Sequence, residues 1–288
     1  MYQTGNSMML SLYAVSPVHA GSGSSFGYVD LPIQRERHTN WPHIQASGVK
    51  GALRDHFENF YQKEGENAFE IAKIIFGDSK GEEGTVAGAI SVSDAKILAY
   101  PMRSNIAPFV WVTAPAVLQR LCRDLNLCGK KVPDLSRLTV PNREMALPLS
   151  GIPENVKVLL EDMEVTTGPQ QAAMQPEIAP FFKEVSRLLL VHDDVFKYCV
   201  DQCTDVQAQI MINDETGTTK DGSLRYQELL PNDTVMYVVV FWGDSKDEAS
   251  TYKADTLIGA VKESLANGHI QMGGDLTLGR GLFSVSII

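Results

Sequence analysis

Hydrophobic and polar positions change their period along this chain, and the changes lay out its elements. Residues 8–15 alternate and predict a first strand. From Ser16 to Thr39 the pattern dissolves into a long polar, glycine-rich loop. Val49, Leu53, His56, Phe57 and Phe60 then recur at helical spacing. They predict one buried face of a helix that begins near Ser47, a residue of the N-capping type. Ile90 to Tyr100 reads as a strand after the GDSKGEEGTVAG loop, and Ala116 to Leu127 as a helix with Val117, Leu118, Leu121 and Leu125 inward. Phe181 to Leu190 and Val195 to Gln202 read as further helices, the latter capped by the Asp193-Asp194 pair. Ile210 to Ile212 and Leu224 to Tyr226 predict a hairpin around NDETGTTKDGS. Val235 to Trp242 is a β-branched, aromatic strand of the buried type, Asp255 to Asn267 an amphipathic helix stopped by Gly268, and Leu282 to Ile288 a last strand. Trp111, Trp242 and Met211 lie in apolar stretches and read as core, although Met211 on a hairpin could instead wedge against a base. The order is β-α-β at each end with an irregular middle third. That order predicts an α+β, ferredoxin-like sandwich with a helical insertion.

Length and composition fit this picture. The chain has 288 residues, enough for one large domain with insertions or two small ones. No apolar run approaches the ~20 residues of a membrane helix, and the N-terminal stretch lacks the cationic flank of a signal peptide. Cys122, Cys128, Cys199 and Cys203 form no CxxC pair, so zinc-ribbon and thioredoxin readings fail. Buried, reduced thiols and a cytoplasmic location are expected.

Charge changes the picture more. The net charge of −10 argues against a lone high-affinity nucleic-acid binder. Its distribution is uneven. Four of the six histidines, together with Arg35, Arg37, Lys50 and Arg54, fall before residue 57, whereas acid gathers at Glu82-Glu83, Glu161-Asp162 and Asp193-Asp194. A local basic patch on an acidic body suits a subunit that shares nucleic acid with partners.

Three places could carry chemistry. Lys50, in the first helical turn, opposes the helix dipole unless an anion is near, and the free N–H groups beside Ser47 could bind a phosphate, with Arg54 one turn on. The alternative is a solvated basic face. Gly273-Gly274-Asp275-Leu276-Thr277-Leu278-Gly279-Arg280-Gly281 could bring backbone N–H groups and Arg280 to a phosphate, or could be a tight turn. It is neither a Walker motif nor a dinucleotide fingerprint. His19 and Asp30 bracket the polar loop. Asp30 could hold a hydrated divalent ion and help align an RNA 2′-hydroxyl. Spacing alone favours the plainer reading, in which Asp30 caps a turn before Pro32 and His19 is a hydrogen-bonded loop residue.

The run DLPIQRERHT followed by IQASGVKGALR closely resembles the repeated backbone subunit of Cmr (type III-B) CRISPR effector complexes, a RAMP protein. INDETGTTKDGSLRYQELLP and the C-terminal GGDLTLGRG also match that pattern; residues 60–180 add little. The resemblance implies an RNA-recognition-like palm (residues 1–60, 85–100 and 230–288), helical fingers (60–85 and 100–200) and a thumb hairpin (205–230). It implies copies stacked on a CRISPR RNA beside other Cmr subunits, thumbs that interrupt the guide–target duplex, and cleavage of single-stranded target RNA at regular intervals. The expected products are a cyclic phosphate and a 5′-hydroxyl. On this resemblance Asp30 is the catalytic and metal-binding residue, with Mg2+ or Mn2+ as the ion, His19 is the loop histidine, and Lys50 contacts the guide. Arg54, Arg35, Arg37, Ser47, Gly273, Gly274, Arg280 and Met211 complete the expected RNA surface. A non-catalytic guide-binding scaffold and a small-molecule enzyme using the glycine loop are the rival readings; the latter requires a deep apolar pocket.

Overall fold

A computed structural model describes residues 5–25, 27–78, 86–169, 174–247 and 250–288. Residues 1–4 of the N-terminal stretch, residues 79–85 of the loop before Ile90, and with them Glu82 and Glu83, lie outside the described residues.

β1 (Ser7–Ala14) leads through the long loop to β2 (His43–Ile44) and α1 (Ala46–Phe60). α2 (Ala68–Phe76) follows, then β3 (Ile90–Val92) and β4 (Ala95–Arg103). The insertion holds β5 (Phe109–Thr113), α3 (Pro115–Leu127), β6 (Met145–Ser150), β7 (Lys157–Leu160), β8 (Met163–Thr167), β9 (Leu188–Val191) and α4 (Asp193–Gln202). The chain closes with β10 (Asp205–Gln209), β11 (Arg225–Leu229), β12 (Val235–Trp242), α5 (Ala254–Ser264), β13 (His269–Gln271) and β14 (Leu282–Ile287).

β14, β1, β12 and β4 stand side by side in that order. With α1 after the first strand and α5 after the third, this is the split β-α-β arrangement of the ferredoxin-like fold. β12 is central, antiparallel to β1 with Leu10 opposite Val238 and to β4 with Tyr237 opposite Lys96, and all eight of its residues are buried. A strand covered on both faces reads as a continuous apolar run, which is why VMYVVVFW is unambiguous in sequence. α1 buries Val49, Leu53, His56 and Phe57. His56 Nε2 lies 2.8 Å from the Ser264 carbonyl, tying α1 to the end of α5, and burial holds its basicity below the usual imidazole value against the opposing pull of that bond and of Asp55. α5 continues as a single 3₁₀ turn to Asn267, and Gly268 ends it at φ 73°.

The sheet does not stop at β4. It runs on through β5, β9, β6, β8 and β7, so the insertion carries strands as well as α3 and α4. β5 and β9 pair in parallel, Val112 opposite Leu189.

Several expectations are corrected. Phe181 to Leu190 is not a helix: a 3₁₀ turn at Ala179–Phe182 precedes β9, whose LLLV is buried between β5 and β6. A short apolar run has no period to tell the two apart. The strand expected over Ile90 to Tyr100 breaks at Ser93-Asp94 because the Asp94 carboxylate turns aside to accept from the Ala46 N–H, 2.7 Å, at the start of α1. Ser47 is therefore not the cap; the N-cap position is Gln45, which makes no side-chain capping bond. Phe60 is 56% exposed and stacks on His56 rather than entering the core. Asp193 and Asp194 do not cap α4, whose cap is His192; Asp193 accepts instead from Ala116 N, 2.9 Å, at the start of α3. The hairpin strands lie five residues further out from the turn on the N-terminal side, at β10, because the alternation of DVQAQ is short and weak, with only Val206 and Ala208 as its apolar members. Met211 is 56% exposed and is not core, whereas Trp111 and Trp242 are buried. The cysteines are free, and burial raises the Cys122 and Cys203 thiols to about 11.

Candidate functional site

The long loop after β1 is zipped to the outer edge of β11. Tyr226 turns both its backbone groups toward Asp30: its carbonyl accepts from Asp30 N (3.1 Å) and Leu31 N (3.0 Å), and its N–H donates to Asp30 Oδ2 (2.7 Å). Glu228 N then donates to the Leu31 carbonyl, 3.0 Å. One Asp30 oxygen is thereby held in place, and the half-buried carboxylate keeps Oδ1 for a ligand.

His19 meets the same strand two residues on, about 7 Å along a β-strand. Its Nδ1 lies 2.8 Å from the Glu228 carbonyl. A carbonyl only accepts, so Nδ1 carries the proton and Nε2 presents a lone pair in the neutral ring. The ring lies over Gly21, where a Cβ would come within 2.7 Å of Nε2. Behind it, Gly274 N donates to the His19 carbonyl, 2.9 Å, and Gly273 sits at φ +96° where a Cβ would strike that carbonyl at 2.7 Å. Gly281 N donates to Pro17 O, 2.8 Å, closing the C-terminal loop onto the first one. The two glycine-rich segments of the sequence thus form one body.

Glu228 joins this body from below. Its carboxylate accepts from Ile33 N (3.0 Å), Thr204 Oγ1 (2.8 Å) and Arg35 Nη2 (2.5 Å). Arg35 also donates to the Asn40 and Val200 carbonyls, both at 2.9 Å, and lies 3.6 Å from Asp201. Its guanidinium is therefore committed internally. Arg280 is committed in the same way, to Asp275 Oδ2 (2.8 Å), Gln227 Oε1 (2.5 Å) and Gln207 Oε1 (2.9 Å), and it fastens the hairpin to the C-terminal loop.

A second surface surrounds the start of α1. Ser47, Lys50 and Arg54 line an open groove of about 540 Å³ with Gly77, Asp78, Gly88 and Ser91. Lys50 has no ion-pair partner among the described residues. Arg54 is partly engaged, with Glu58 at 2.8 Å and the Gly77 carbonyl at 3.0 Å. Asp94 supplies the anion at the helix start, so the backbone there is not an empty phosphate cradle. Arg37 is exposed. Next to it the buried cost of the Glu36 charge is outweighed by hydrogen bonds from Arg120 and Thr39, and its carboxyl stays below the ordinary value.

The structure brings His19, Asp30, Gly273, Gly274, Arg35 and Arg280 together around β11, with Lys50, Arg54, Ser47 and Arg37 elsewhere and Met211 beyond on the hairpin. Sequence reasoning missed Tyr226 and Glu228. A glutamate flanked by Gln227 and Leu229-Leu230 in a buried strand end was the available signal. For a metal, the donor set is thin: among the described residues no group of three or more His, Cys, Asp or Glu could hold an ion. A resident metal centre does not fit. A hydrated ion that takes most of its ligands from phosphate and water would meet the single free oxygen of Asp30. Among the described residues, Leu278 and Arg280 of the glycine loop line a partly open groove of about 640 Å³ with Gln207, Gln209, Met211 and Arg225, a mixed polar and apolar surface.

Comparison with known proteins agrees over nearly the whole chain. The RAMP superfamily pattern matches residues 11–284. A Pyrococcus furiosus protein named CRISPR system Cmr endoribonuclease Cmr4 is 35% identical over 292 residues, covering 97% of this chain and 95% of its own. The crystal structure of oligomeric Cmr4 from Pyrococcus furiosus aligns with a TM-score of 0.68 at 26% identity, over 98% of this chain and 97% of that one. A type III-B Cmr-beta subunit, from the cryo-EM structure bound to cognate target RNA, shares the fold with a TM-score of 0.73 at 21% identity, over 98% and 96% of the two chains.

Proposed function

The chain belongs to the RAMP superfamily and within it to the Cmr4 proteins, and from that we propose that it is the CRISPR RNA-binding backbone subunit of a type III-B effector complex that cuts guide-paired target RNA at regular intervals. The observation that carries the catalytic reading is Asp30: a carboxylate pinned by one oxygen to the hairpin strand, with the other open and His19 Nε2 presented from the same strand edge. Copies of the chain stack along the guide with other Cmr subunits, in the cytoplasm.

In the reaction the target 2′-hydroxyl oxygen attacks the adjacent phosphorus and gives its proton to solvent, the bond from phosphorus to the 5′-oxygen breaks, and the departing 5′-oxygen takes a proton from water. The products are a 2′,3′-cyclic phosphate and a 5′-hydroxyl. Asp30 orients the attacking hydroxyl through Oδ1, and His19 shapes the loop and offers Nε2 as an acceptor. If a hydrated Mg2+ or Mn2+ enters with the RNA, the free oxygen of Asp30 would hold it, and it would supply charge neutralisation for the phosphoryl group. Lys50, with Arg54, Ser47 and Arg37, grips guide phosphates. Arg35, Arg280, Gly273 and Gly274 serve RNA binding by holding the loops in register, and Met211 reaches the duplex from the thumb. Cleaving a labelled target with the assembled complex tests this. Evenly spaced cuts, 5′-hydroxyl ends and loss of cutting in excess chelator are expected; 5′-phosphate ends would refute the 2′-hydroxyl mechanism.

A further inference from the structure

The thumb hairpin is amphipathic in the inverse sense. Gln207 and Gln209 on β10 share a face with Arg225 and Gln227 on β11, and this polar face is the one fastened down: Arg280 donates to Gln207 and Gln227, and Gln227 donates to Asp275 at 2.7 Å. The other face carries Val206, Ala208, Tyr226 and Glu228; Glu228 is buried against Ile33, Thr204 and Arg35, and the face is open from Val206 to Tyr226. Val206 is 45% exposed and Tyr226 41%. A two-stranded ribbon placed by apolar burial would turn these residues inward.

Tyr226 is the distinctive member. Its cross-strand neighbour is Ala208, too small to cover the ring, and its hydroxyl has no hydrogen-bond partner among the described residues. Its backbone is the group that clamps Asp30, through bonds of 2.7 Å and 3.1 Å. An RNA strand whose phosphodiester lies against Asp30 therefore passes beside this ring. Exposed aromatic rings bind single-stranded bases by stacking, without regard to sequence, because every base has a π-face.

We propose that Tyr226 is the stacking platform for the base adjoining the phosphodiester offered to Asp30. The ring fixes the nucleotide, and the strand that bears the ring also fixes the carboxylate. Base and attacking hydroxyl are thus positioned by one rigid edge, and cutting follows spacing rather than sequence. This rests on the reading of Asp30 as the cleavage residue.

The test uses the assembled complex, single-turnover cleavage, and targets with a base-less nucleotide on either side of a cut. Tyr226→Ala is expected to slow cleavage of the intact target about 5- to 100-fold, the range that loss of one base stack supports. Tyr226→Phe is expected to cut near the wild-type rate. Wild type should lose a similar factor on one base-less target, and Tyr226→Ala should lose nothing more on it. A loss in Tyr226→Ala that is equally large on intact and base-less targets overturns the proposal, as does no loss. A 2-aminopurine at the same nucleotide should be quenched in uncut complexes of wild type and Tyr226→Phe and bright in Tyr226→Ala. That readout needs no cleavage, so it decides the stacking even if Asp30→Asn, run alongside, cuts at full rate and removes the catalytic reading. If Tyr226→Ala complexes fail to assemble while the isolated variant melts as wild type does, the apolar face packs against a second copy and the proposal falls.

Discussion

Removing the Glu228 carboxylate would strand three donors, Ile33 N, Thr204 Oγ1 and the Arg35 guanidinium, in a site where the two charged side chains are only 9% and 15% exposed. Breaking a buried pair costs about 3–5 kcal/mol, and the lower end applies because Asp201 remains near Arg35. Glu228→Ala should therefore lose about 3 kcal/mol in denaturant unfolding, with Glu228→Gln losing less. Gly273→Ala is the complementary experiment. The added methyl would meet the His19 carbonyl in a backbone conformation that favours glycine, so about 1–3 kcal/mol of stability should go, and cleavage with it if His19 is displaced. Normal stability in either variant would remove the residue from the frame of the site. These partners were hidden in the sequence for a plain reason. Asp30 and Tyr226 are 196 positions apart, and no local pattern announces which backbone N–H a carboxylate will accept from.

At the level of elements, legibility followed the hydrophobic signal. β1, β12, α3 and α5 stand close to where their periodicity puts them, since each buries one face or both. β10 and β11 were displaced because DVQAQ and RYQEL hold their places by edge pairing and polar bonds. The start of α1 depended on Asp94, a residue 48 positions away, and so could not be read from Ser47. Two predictions belong here. His56 sits buried between α1 and α5 with its basicity lowered, so the unfolded chain takes up a proton more readily than the folded one. The stability it confers is complete above about pH 6.5 and fades as pH falls through its folded value. His56→Gln should flatten the fall in melting temperature between pH 7 and pH 5; an unchanged slope would show that other groups set it. Lys50 lines the α1 groove with no ion-pair partner among the described residues, and Lys50→Ala should weaken guide binding equally for all guides and flatten its salt dependence. An unchanged salt slope would take Lys50 off the phosphate path.

For the whole molecule, a net charge of −10 on a guide-binding subunit makes sense only if no copy holds RNA alone. Affinity is then shared along the stack, and the two glycine loops, which clasp each other, serve as a fixed frame for the β10–β11 hairpin. The ferredoxin-like core was legible in the order of elements, whereas the extension of its sheet through the insertion was not, because parallel pairing of β5 with β9 joins segments that have no sequence signal in common. Asp30→Asn separates a chemical role for Asp30 from mere closure of a turn, because the amide keeps the size of the side chain and removes its charge. Guide loading, target capture and single-turnover cleavage should be measured on assembled complexes of wild type and variant. Normal loading and capture are expected, with cleavage slowed to the level of wild type in excess chelator; cleavage at the wild-type rate with the same metal dependence would make Asp30 a turn residue and leave the subunit a scaffold.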